Sequence, residues 1–399
     1  MQPMGNVSDT HVVVVGGGGT GAAILYDLVQ RGFKATLFER GELTCGSTGR
    51  HHGLLHSGAR YVVKDRAVGR ECMNEVRILK RIAPEAIEAN RGVFVAFTEE
   101  EEAYRETFEE ACAEADIPTQ WLNADELLAM EPRLNPTLRG GVMVPDGTLD
   151  AYRLPMHFFA GARQLGAVIR NFARVESFVF EGRRIAGVTV RDLRTGTDET
   201  VACDLVINAT GGWAGKLAAM ADIDLPITPA PGTMLAHQGR LVNNIIERLR
   251  PASDGDILVP QRGLSIIGST QWQSDDPDDC TVPDKDVDFL TRAAIDMVPD
   301  FKDTKYHKAW AAVRPLAGAS STEEEGRELS RDFDVRNHGT LDGVEGMLSL
   351  TGGKATTLRI MGEKTVDVVC GMFDVEVPCR TADEPLPNYR QFFRHGVLV

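Results

Sequence analysis

A glycine-rich turn near the N-terminus constrains the fold of this chain more than any other feature. An apolar run, His11–Val15, leads directly into the pattern G-x-G-x-x-G, whose glycines are Gly16, Gly18 and Gly21. Apolar residues then recur at helical spacing as far as Gly32, and a second apolar run ends in Glu39. This order of strand, glycine turn, helix and strand predicts the opening of a doubly wound α/β domain.

Each glycine of the motif has a separate physical task. Gly16 allows the tight turn, Gly18 lets the backbone approach a pyrophosphate, and Gly21 lets the helix pack closely on the strand. The N–H groups and the positive dipole end at the start of the helix attract phosphate. Glu39 follows the last glycine by 18 residues, where a carboxylate accepts both ribose hydroxyls of an adenosine and disfavours a 2′-phosphate. The motif therefore predicts FAD or NAD, and without a second complete motif downstream it predicts one dinucleotide.

The charge of the chain excludes one class of partner. Lys and Arg number 43 against 58 Asp and Glu, which gives a net charge of −15. Because neutralisation of phosphates supplies most non-specific affinity for nucleic acid, such an acidic chain is not expected to bind DNA or RNA.

The cysteines and the hydropathy pattern predict the compartment. The seven cysteines include no C-x-x-C pair and no zinc-ligand spacing, so we expect no metal site and a reducing environment. No apolar run reaches 18 residues, and the N-terminus has no apolar signal core. These features predict a cytoplasmic protein with no transmembrane segment.

The strand patterns recur in separated parts of the chain, which predicts a discontinuous nucleotide-binding domain. Runs before residues 209–211 and at 348–350 are expected to return to the first sheet, and a helix is expected at about 355–370. The alternation across residues 225–314 is typical of an antiparallel sheet. The predicted divisions are a nucleotide-binding domain at 10–80, 146–215 and 330–370, a substrate-binding domain at 81–145 and 216–329, and a tail at 371–399.

Three longer motifs give the chain a family resemblance. They are Gly49–Tyr61 (GRHHGLLHSGARY), Ala312–Leu316 (AVRPL) and Thr351–Thr357 (TGGKATT). With the N-terminal motif they resemble the FAD-dependent glycerol-3-phosphate dehydrogenases, and within that family the large (A) subunit of the anaerobic enzyme. The similarity runs from about residue 11 to 387. It implies the glycine/D-amino-acid oxidase fold, an α/β architecture in which a Rossmann-like FAD-binding domain carries an antiparallel-sheet α+β substrate domain, and it implies non-covalent FAD.

The resemblance also implies which residues contact FAD. Glu39 is expected at the adenosine ribose and Val175 at the adenine through its backbone, and the helix after residue 354 is expected to point its N-terminus at the flavin. The full set implied for the cofactor is Gly16, Gly18, Gly21, Glu39, Arg40, Ser47, Thr48, His52, Gly53, Leu54, Val175, Gly211, Trp213, Gly352, Gly353, Lys354, Ala355 and Thr356.

A second set of residues is implied for the substrate and the reaction. It comprises His56, Arg60, Tyr61, Arg314, Arg331 and Lys354. Several fixed cations suit a phosphate dianion, for which Arg offers bidentate geometry. His56 is a candidate general base. The implied reaction is hydride transfer from C2 of sn-glycerol 3-phosphate to N5 of FAD, which gives dihydroxyacetone phosphate.

The resemblance implies a partner for the electrons. Larger family members continue past the position of Val399, so we expect the electron-transfer function of that extension from another subunit, such as a membrane anchor or an iron–sulfur protein. Electrons then pass to quinone or to that subunit, with molecular oxygen as the alternative acceptor. In that arrangement the protein is peripheral on the inner face of the cell membrane through its partner.

Two other functions remain open. One is oxidation of an L-2-hydroxy acid such as 2-hydroxyglutarate, whose enzymes carry a similar H-S-G segment, although a carboxylate needs only one Arg pair. The other is a non-catalytic FAD-binding subunit of a larger complex. Retention of Arg60, Arg314 and Lys354 favours an enzyme acting on a phosphorylated polyol, either glycerol 3-phosphate or another such as a tetritol phosphate.

Four smaller features complete the expectations. His51, His52 and His56 lie close together, but no acidic or Cys partner is near, so a metal site is not predicted. Cys45 is expected to be an unmodified thiol rather than a flavin attachment point. Met234 occupies the strand where some aerobic family members carry a His. The tail from Pro387 is expected to pack on its own domain rather than to dock on a partner.

Overall fold

The computed structural model describes residues 7–318 and 332–394. Its strands form one six-stranded sheet, one eight-stranded sheet and two three-stranded sheets within these ranges. The strands are β1 (His11–Val15), β2 (Lys34–Glu39), β3 (Leu54–Leu55), β4 (Ile87–Glu88), β5 (Gly92–Ala96), β6 (Gln120–Asn123), β7 (Gly140–Val144), β8 (Gly147–Leu149), β9 (Val168–Asn171), β10 (Ala173–Glu181), β11 (Arg184–Asp192), β12 (Asp198–Ala202), β13 (Leu205–Asn208), β14 (Ile227–Gln238), β15 (Ile245–Arg248), β16 (Ile257–Gln261), β17 (Leu264–Gly268), β18 (Tyr306–Ala317), β19 (Phe333–Asn337) and β20 (Met347–Gly352).

The α-helices of the same ranges connect and cover these sheets. They are α1 (Gly19–Gln30), α2 (Ala59–Val62), α3 (Arg66–Ile82), α4 (Glu99–Ala103), α5 (Arg105–Glu114), α6 (Ala124–Met130), α7 (Arg153–Gln164), α8 (Ala214–Ala219), α9 (Asp284–Met297), α10 (His338–Leu341) and α11 (Leu358–Met372). No helix in the described part of the chain combines the length and the apolar character needed to cross a membrane.

The six-stranded sheet carries the glycine motif. Its order is β19-β20-β13-β1-β2-β9, and all pairs are parallel except β19 with β20. Val12 and Val14 of β1 pack into the core that includes α1, α7 and α11, whereas Val13 and Val15 pack with β10, β11 and α8. A strand covered on both faces explains why β1 is an uninterrupted run of valines.

The eight-stranded sheet differs from the prediction in two ways. Its order is β18-β14-β17-β16-β15-β5-β7-β6, and β15 pairs with β5 in parallel, so the sheet is mixed rather than antiparallel. Two neighbouring strands must run antiparallel when a short hairpin joins them. Because β5 and β15 are far apart in the chain, they can pair in parallel. The region also contains α9, which the alternating pattern of apolar residues did not predict. Its buried residues Leu290, Ala294 and Met297 follow a helical spacing.

The last helix begins later than predicted. The expected start was Ala355, but α11 begins at Leu358. The three preceding residues form a turn, in which the N–H of Thr357 donates to the carbonyl of Lys354 at 3.1 Å. The helix N-terminus is therefore displaced from the glycine pair before Lys354 by this turn.

The tail packs on its own domain as far as the structure describes it. Arg31, the residue that caps the C-terminus of α1, donates to the carbonyl of Val377 at 3.1 Å. Tyr389 lies against His157 of α7 with ring centroids 5.6 Å apart, and Phe392 lies 6.3 Å from Phe159. These contacts agree with the expectation for the tail up to residue 394.

A buried ion pair fastens α11 to α3. Arg359 donates to the two carboxylate oxygens of Glu75 at 2.5 and 2.9 Å, and each side chain is only 3% exposed. The same guanidinium also donates to Glu363 and to Thr381. Loss of Arg359 therefore leaves a buried carboxyl group without its partner.

We expect Arg359→Met to lower the free energy of unfolding by about 3–5 kcal/mol, because one partner of a buried pair is removed. Denaturant unfolding of the FAD-saturated protein measures the change. Lys364→Met is the matched control, since Lys364 makes an exposed pair with Asp367, and its effect should stay below about 1 kcal/mol. Equal effects of the two substitutions would contradict the role of the buried pair.

Candidate active site

One large cavity lies between the two main sheets. Its volume is about 1280 Å³, and its walls include residues at the C-terminal ends of β1, β2, β13 and β20 on one side and residues of β14 and β18 on the other. Ligands of open α/β sheets bind at this edge. The arrangement therefore places the glycine turn and the second sheet around one site.

The glycine turn has the close approaches that its pattern predicts. Gly16 has a φ of +113°, and a Cβ on it would lie 2.6 Å from the carbonyl oxygen of Ala209. A Cβ on Gly21 would lie 2.0 Å from the carbonyl oxygen of Gly16, so helix and strand meet where only hydrogen atoms fit. Gly18 lines the cavity in an extended conformation just before α1.

The acid at the end of β2 is held by the backbone of the turn. The carboxylate of Glu39 accepts the N–H of Gly17 and the N–H of Gly41, each at 2.7 Å. Arg40 stacks on the ring of Trp213 at 4.5 Å, and Asp278 accepts from both side chains. At this end of the cavity, the oriented carboxylate of Glu39 thus lies beside the stacked side chains of Arg40 and Trp213.

The loop from Ser47 to Leu54 carries polar groups along the cavity wall. Ser47 donates its hydroxyl to the carbonyl of Val313 on β18, and Thr48 accepts the N–H of Gly19 at 2.9 Å. Burial lowers the pKa of His51 to about 4 and the pKa of His52 well below its ordinary value, so both rings are neutral near pH 7. Within the described ranges no cluster of His, Cys, Asp or Glu is arranged to hold a metal ion.

The residues expected to bind the substrate come from separated elements. Arg60 and Tyr61 lie on α2, Arg314 lies on β18 and Lys354 follows β20, and all four line the cavity together with His56. Tyr61 packs against His56 with ring centroids 5.3 Å apart.

The cations of this set are held by neighbouring oxygens. Arg314 donates to the hydroxyl of Ser269 and to the carbonyl of Thr270. Lys354 is 7% exposed, and its Nζ lies 3.2 Å from Asp332. Arg331 lies outside the described residues.

Most of the expected cofactor residues line the same cavity. Those that do are Gly16, Gly18, Glu39, Arg40, Ser47, Thr48, His52, Leu54, Val175, Gly211, Trp213, Gly352, Gly353, Lys354 and Ala355. Gly21, Gly53 and Thr356 are not among its lining residues, and the assignment of the whole set to FAD stays a prediction.

Several lining residues escaped the sequence reasoning. They are Ser253, Asp254, Ser269, Gln271 and Asp332. The segment DGDILVP, which begins at Asp254, also resembles the family and was a signal for Asp254. Ser269 and Gln271 sit in a polar stretch with no distinguishing pattern.

The residues present fit a bound dinucleotide. A Cβ on Gly211 would meet no protein atom within 4 Å, so the backbone there faces open space, whereas Gly16 leaves no room for one. A glycine backbone that opens on the cavity, beside a turn too crowded for any side chain, leaves the main chain accessible to a polar ligand.

We expect Gly18→Val to prevent FAD binding, because a side chain there takes the space through which the backbone approaches the pyrophosphate. The ratio of flavin absorbance to protein absorbance after purification measures the loss. Gly371→Val is the control, since a Cβ there meets no atom within 4 Å. A yellow, fully loaded Gly18→Val protein would remove the turn from the site.

Comparison with known proteins agrees with this geometry. The DAO family of FAD-dependent oxidoreductases matches residues 11–360. In Escherichia coli strain K12, the A subunit of the anaerobic glycerol-3-phosphate dehydrogenase is 39% identical over 384 residues, which cover 96% of this chain and 71% of that protein. In Haloferax volcanii, the A1 subunit of the corresponding enzyme is 38% identical over 392 residues, which cover 96% of this chain and 67% of that protein.

A solved structure has the same fold. The glycerol-3-phosphate dehydrogenase of Bacillus halodurans, complexed with FAD, matches with a TM-score of 0.74 and 26% identity, and the match covers 96% of this chain and 69% of the other. The expectations for the family, the α/β fold and FAD as cofactor are confirmed. The chain belongs to the DAO family of FAD-dependent oxidoreductases, and within it to the group formed by the A subunits of the anaerobic glycerol-3-phosphate dehydrogenases.

Proposed function

We propose that this chain oxidises sn-glycerol 3-phosphate to dihydroxyacetone phosphate with FAD. One observation carries the proposal: three cations from distant parts of the chain, Arg60, Arg314 and Lys354, line the cavity that the dinucleotide turn also lines. The names of the similar proteins from Escherichia coli and Haloferax volcanii support the same substrate. An acidic chain that concentrates cations in one cleft is suited to an anionic substrate.

In this proposal, different cations contact different parts of the substrate. Arg60 and Arg314 offer planar guanidinium groups that match the oxygens of a phosphate dianion in bidentate geometry. Lys354 lies at the glycine pair before α11 and serves the hydroxyl side of the substrate. The fixed positions of these three side chains contribute to catalysis, because correct orientation of the reactants supplies a large share of a rate enhancement.

Oxidation of the C2 hydroxyl releases a hydride and a proton. When bound, FAD supplies the acceptor for the hydride. For the proton, Met234 lines the cavity but has no titratable group, and burial lowers the pKa of both His51 and His52, which makes these two rings weak bases. His56, 8% exposed and packed on Tyr61, is the remaining imidazole on the wall from which a ring nitrogen can accept the hydroxyl proton.

The predicted domain division separates the two large sheets, although Arg60 and Lys354 of the substrate set lie within the ranges assigned to FAD. We propose that residues 10–80, 146–215 and 330–370 bind FAD and that 81–145 and 216–329 bind the substrate. In support, all six strands of the glycine-motif sheet fall in the first set, and all eight strands of the other large sheet fall in the second.

The electrons are proposed to leave through a partner subunit to quinone, which makes the protein peripheral on the inner face of the membrane. The support is that relatives of this chain are named as one subunit of a larger enzyme. Stoichiometric peroxide formation when the reduced protein meets air would contradict this route and assign the electrons to oxygen.

Anaerobic titration with sn-glycerol 3-phosphate tests the reaction. We expect the absorbance band of oxidised flavin to disappear with about one equivalent of substrate, because two electrons leave each alcohol. Reduction of the flavin by L-2-hydroxyglutarate instead would identify a 2-hydroxy acid, rather than a phosphorylated polyol, as the substrate. A protein that binds FAD but is reduced by neither compound would point to a non-catalytic subunit.

Arg314→Ala should raise the KM for sn-glycerol 3-phosphate by roughly 100-fold, because a buried charged contact to the substrate is lost. Steady-state kinetics with an artificial electron acceptor measure the change. Arg133→Ala is the control, since Arg133 makes an exposed pair with Asp300 and does not line the cavity. An unchanged KM in Arg314→Ala would remove this residue from the substrate site.

A further inference from the structure

The sheet segments beside Arg314 turn alternate residues toward the cavity and away from it. The residues that line the cavity here are Gly232, Met234, Ser269 and Gln271. Thr233 and Thr270, each between two of these, do not line it. Because successive residues of an extended chain point to opposite faces, the two threonine side chains lie behind the cavity wall.

Asp286 binds both threonines from behind the wall. It lies in the first turn of α9 and is 7% exposed. Its Oδ2 accepts the hydroxyl of Thr270 at 2.6 Å and the hydroxyl of Thr233 at 2.8 Å. The Thr270 hydroxyl also accepts the N–H of Thr233 at 3.1 Å. One carboxylate oxygen therefore ties β14 to the chain that follows β17.

The same segment contacts Arg314 on the cavity side. Arg314 Nη2 donates to the carbonyl of Thr270 at 3.3 Å and to the hydroxyl of Ser269. Thr270 thus contacts Asp286 with its side chain and Arg314 with its main chain. A shift of Thr270 would move an acceptor of the guanidinium.

The guanidinium also lies directly on the main chain of β14. A Cβ on Gly232 would lie 2.5 Å from Nη1 and 2.8 Å from Nη2 of Arg314, so no side chain fits between them. Arg314 therefore rests on the two segments that Asp286 joins, and its position depends on their spacing.

Packing alone does not explain an acid at this place in α9. The other buried residues of the helix are apolar, namely Leu290, Ala294 and Met297. Burial of a carboxyl group costs free energy unless hydrogen bonds compensate for the lost water. The hydrogen bonds to the two threonines are therefore what Asp286 contributes and an apolar residue would not.

We infer that Asp286 is a positioning residue for the substrate anion, because through Thr270 it holds the acceptors that orient Arg314 at the cavity wall. The inference rests on the proposed function, in which Arg314 binds the phosphate. Asp286 does not itself line the cavity, so it acts on the substrate only through Arg314. Its loss should weaken phosphate binding and leave the hydroxyl side of the site unchanged.

Kinetics of Asp286 variants test the inference. Asp286→Ala should raise the KM for sn-glycerol 3-phosphate at least roughly tenfold with a smaller change in kcat, because a displaced guanidinium no longer meets the phosphate. Asp286→Asn should restore most of the affinity, since an amide oxygen accepts the same two hydroxyls. Asp288→Ala is the matched control, because Asp288 is exposed on the same helix, and its KM should equal that of the wild type. An unchanged KM in Asp286→Ala, or no rescue in Asp286→Asn, would overturn the inference.

A double-mutant cycle separates positioning from a general effect on the fold. If Asp286 acts through Arg314, Asp286→Ala should change the KM by less than about twofold in a protein that already carries Arg314→Ala. An independent structural effect predicts instead that the two increases in KM multiply, and that result would contradict the positioning role.

Thr270→Val provides the test if Asp286→Ala fails to fold. This substitution removes the hydroxyl that Asp286 accepts and keeps the carbonyl that Arg314 contacts. We expect a raised KM in Thr270→Val and a KM near that of the wild type in Thr270→Ser. Wild-type kinetics in Thr270→Val would exclude the path from Asp286 to Arg314.

Inorganic phosphate separates the inference from the proposed reaction. Calorimetric titration of the FAD-loaded protein measures its dissociation constant without turnover, and we expect the same order of affinities among the variants. If glycerol 3-phosphate does not reduce the flavin but phosphate binding follows this order, the proposed substrate is wrong and the positioning role stands. Phosphate binding that neither Arg314→Ala nor Asp286→Ala weakens would overturn the inference even where glycerol 3-phosphate reduces the flavin.

Discussion

The rest of the structure depends on how closely the first helix approaches the first strand. A Cβ on Gly21 would lie 2.0 Å from the carbonyl oxygen of Gly16, so a single methyl group would push α1 away from β1. Helices α7 and α11 pack on α1 within the same core, and the tail is tied to α1 through Arg31. The backbone contact that opens the dinucleotide site therefore also sets the distance between the sheet and its helical layer.

What the sequence predicts well is local. The glycine turn, the strand that follows it and the acid at its end are specified by adjacent residues, and the structure has them where they were expected. The three family motifs extended the prediction beyond the glycine turn, because each motif places its own short segment at the cavity. Arg60, Arg314 and Lys354 line one cavity although nothing in their spacing along the chain requires it.

What the sequence does not predict depends on pairing between distant segments. The parallel contact of β15 with β5 has no local signal, because either direction buries the same apolar side chains. Glu247 is an example at the site: in its segment, NNIIERLR, it resembles any surface acid on a strand. It becomes a buried group only when β15 pairs beside β5 and brings it to Arg60, and no residue spacing encodes that contact.

The loop contacts of His51 and His52 have a consequence for the hydrogen atoms of the two rings. In each ring Nδ1 accepts a backbone N–H, from Gly53 at 3.0 Å and from Leu54 at 3.1 Å. A neutral imidazole whose Nδ1 accepts must carry its hydrogen on Nε2, so the tautomer of both rings is set by the main chain. His52, which lines the cavity, therefore carries its N–H donor on Nε2 and has no lone pair left for a proton or a metal ion. The main chain of this loop thus fixes the hydrogen of both His51 and His52 on Nε2.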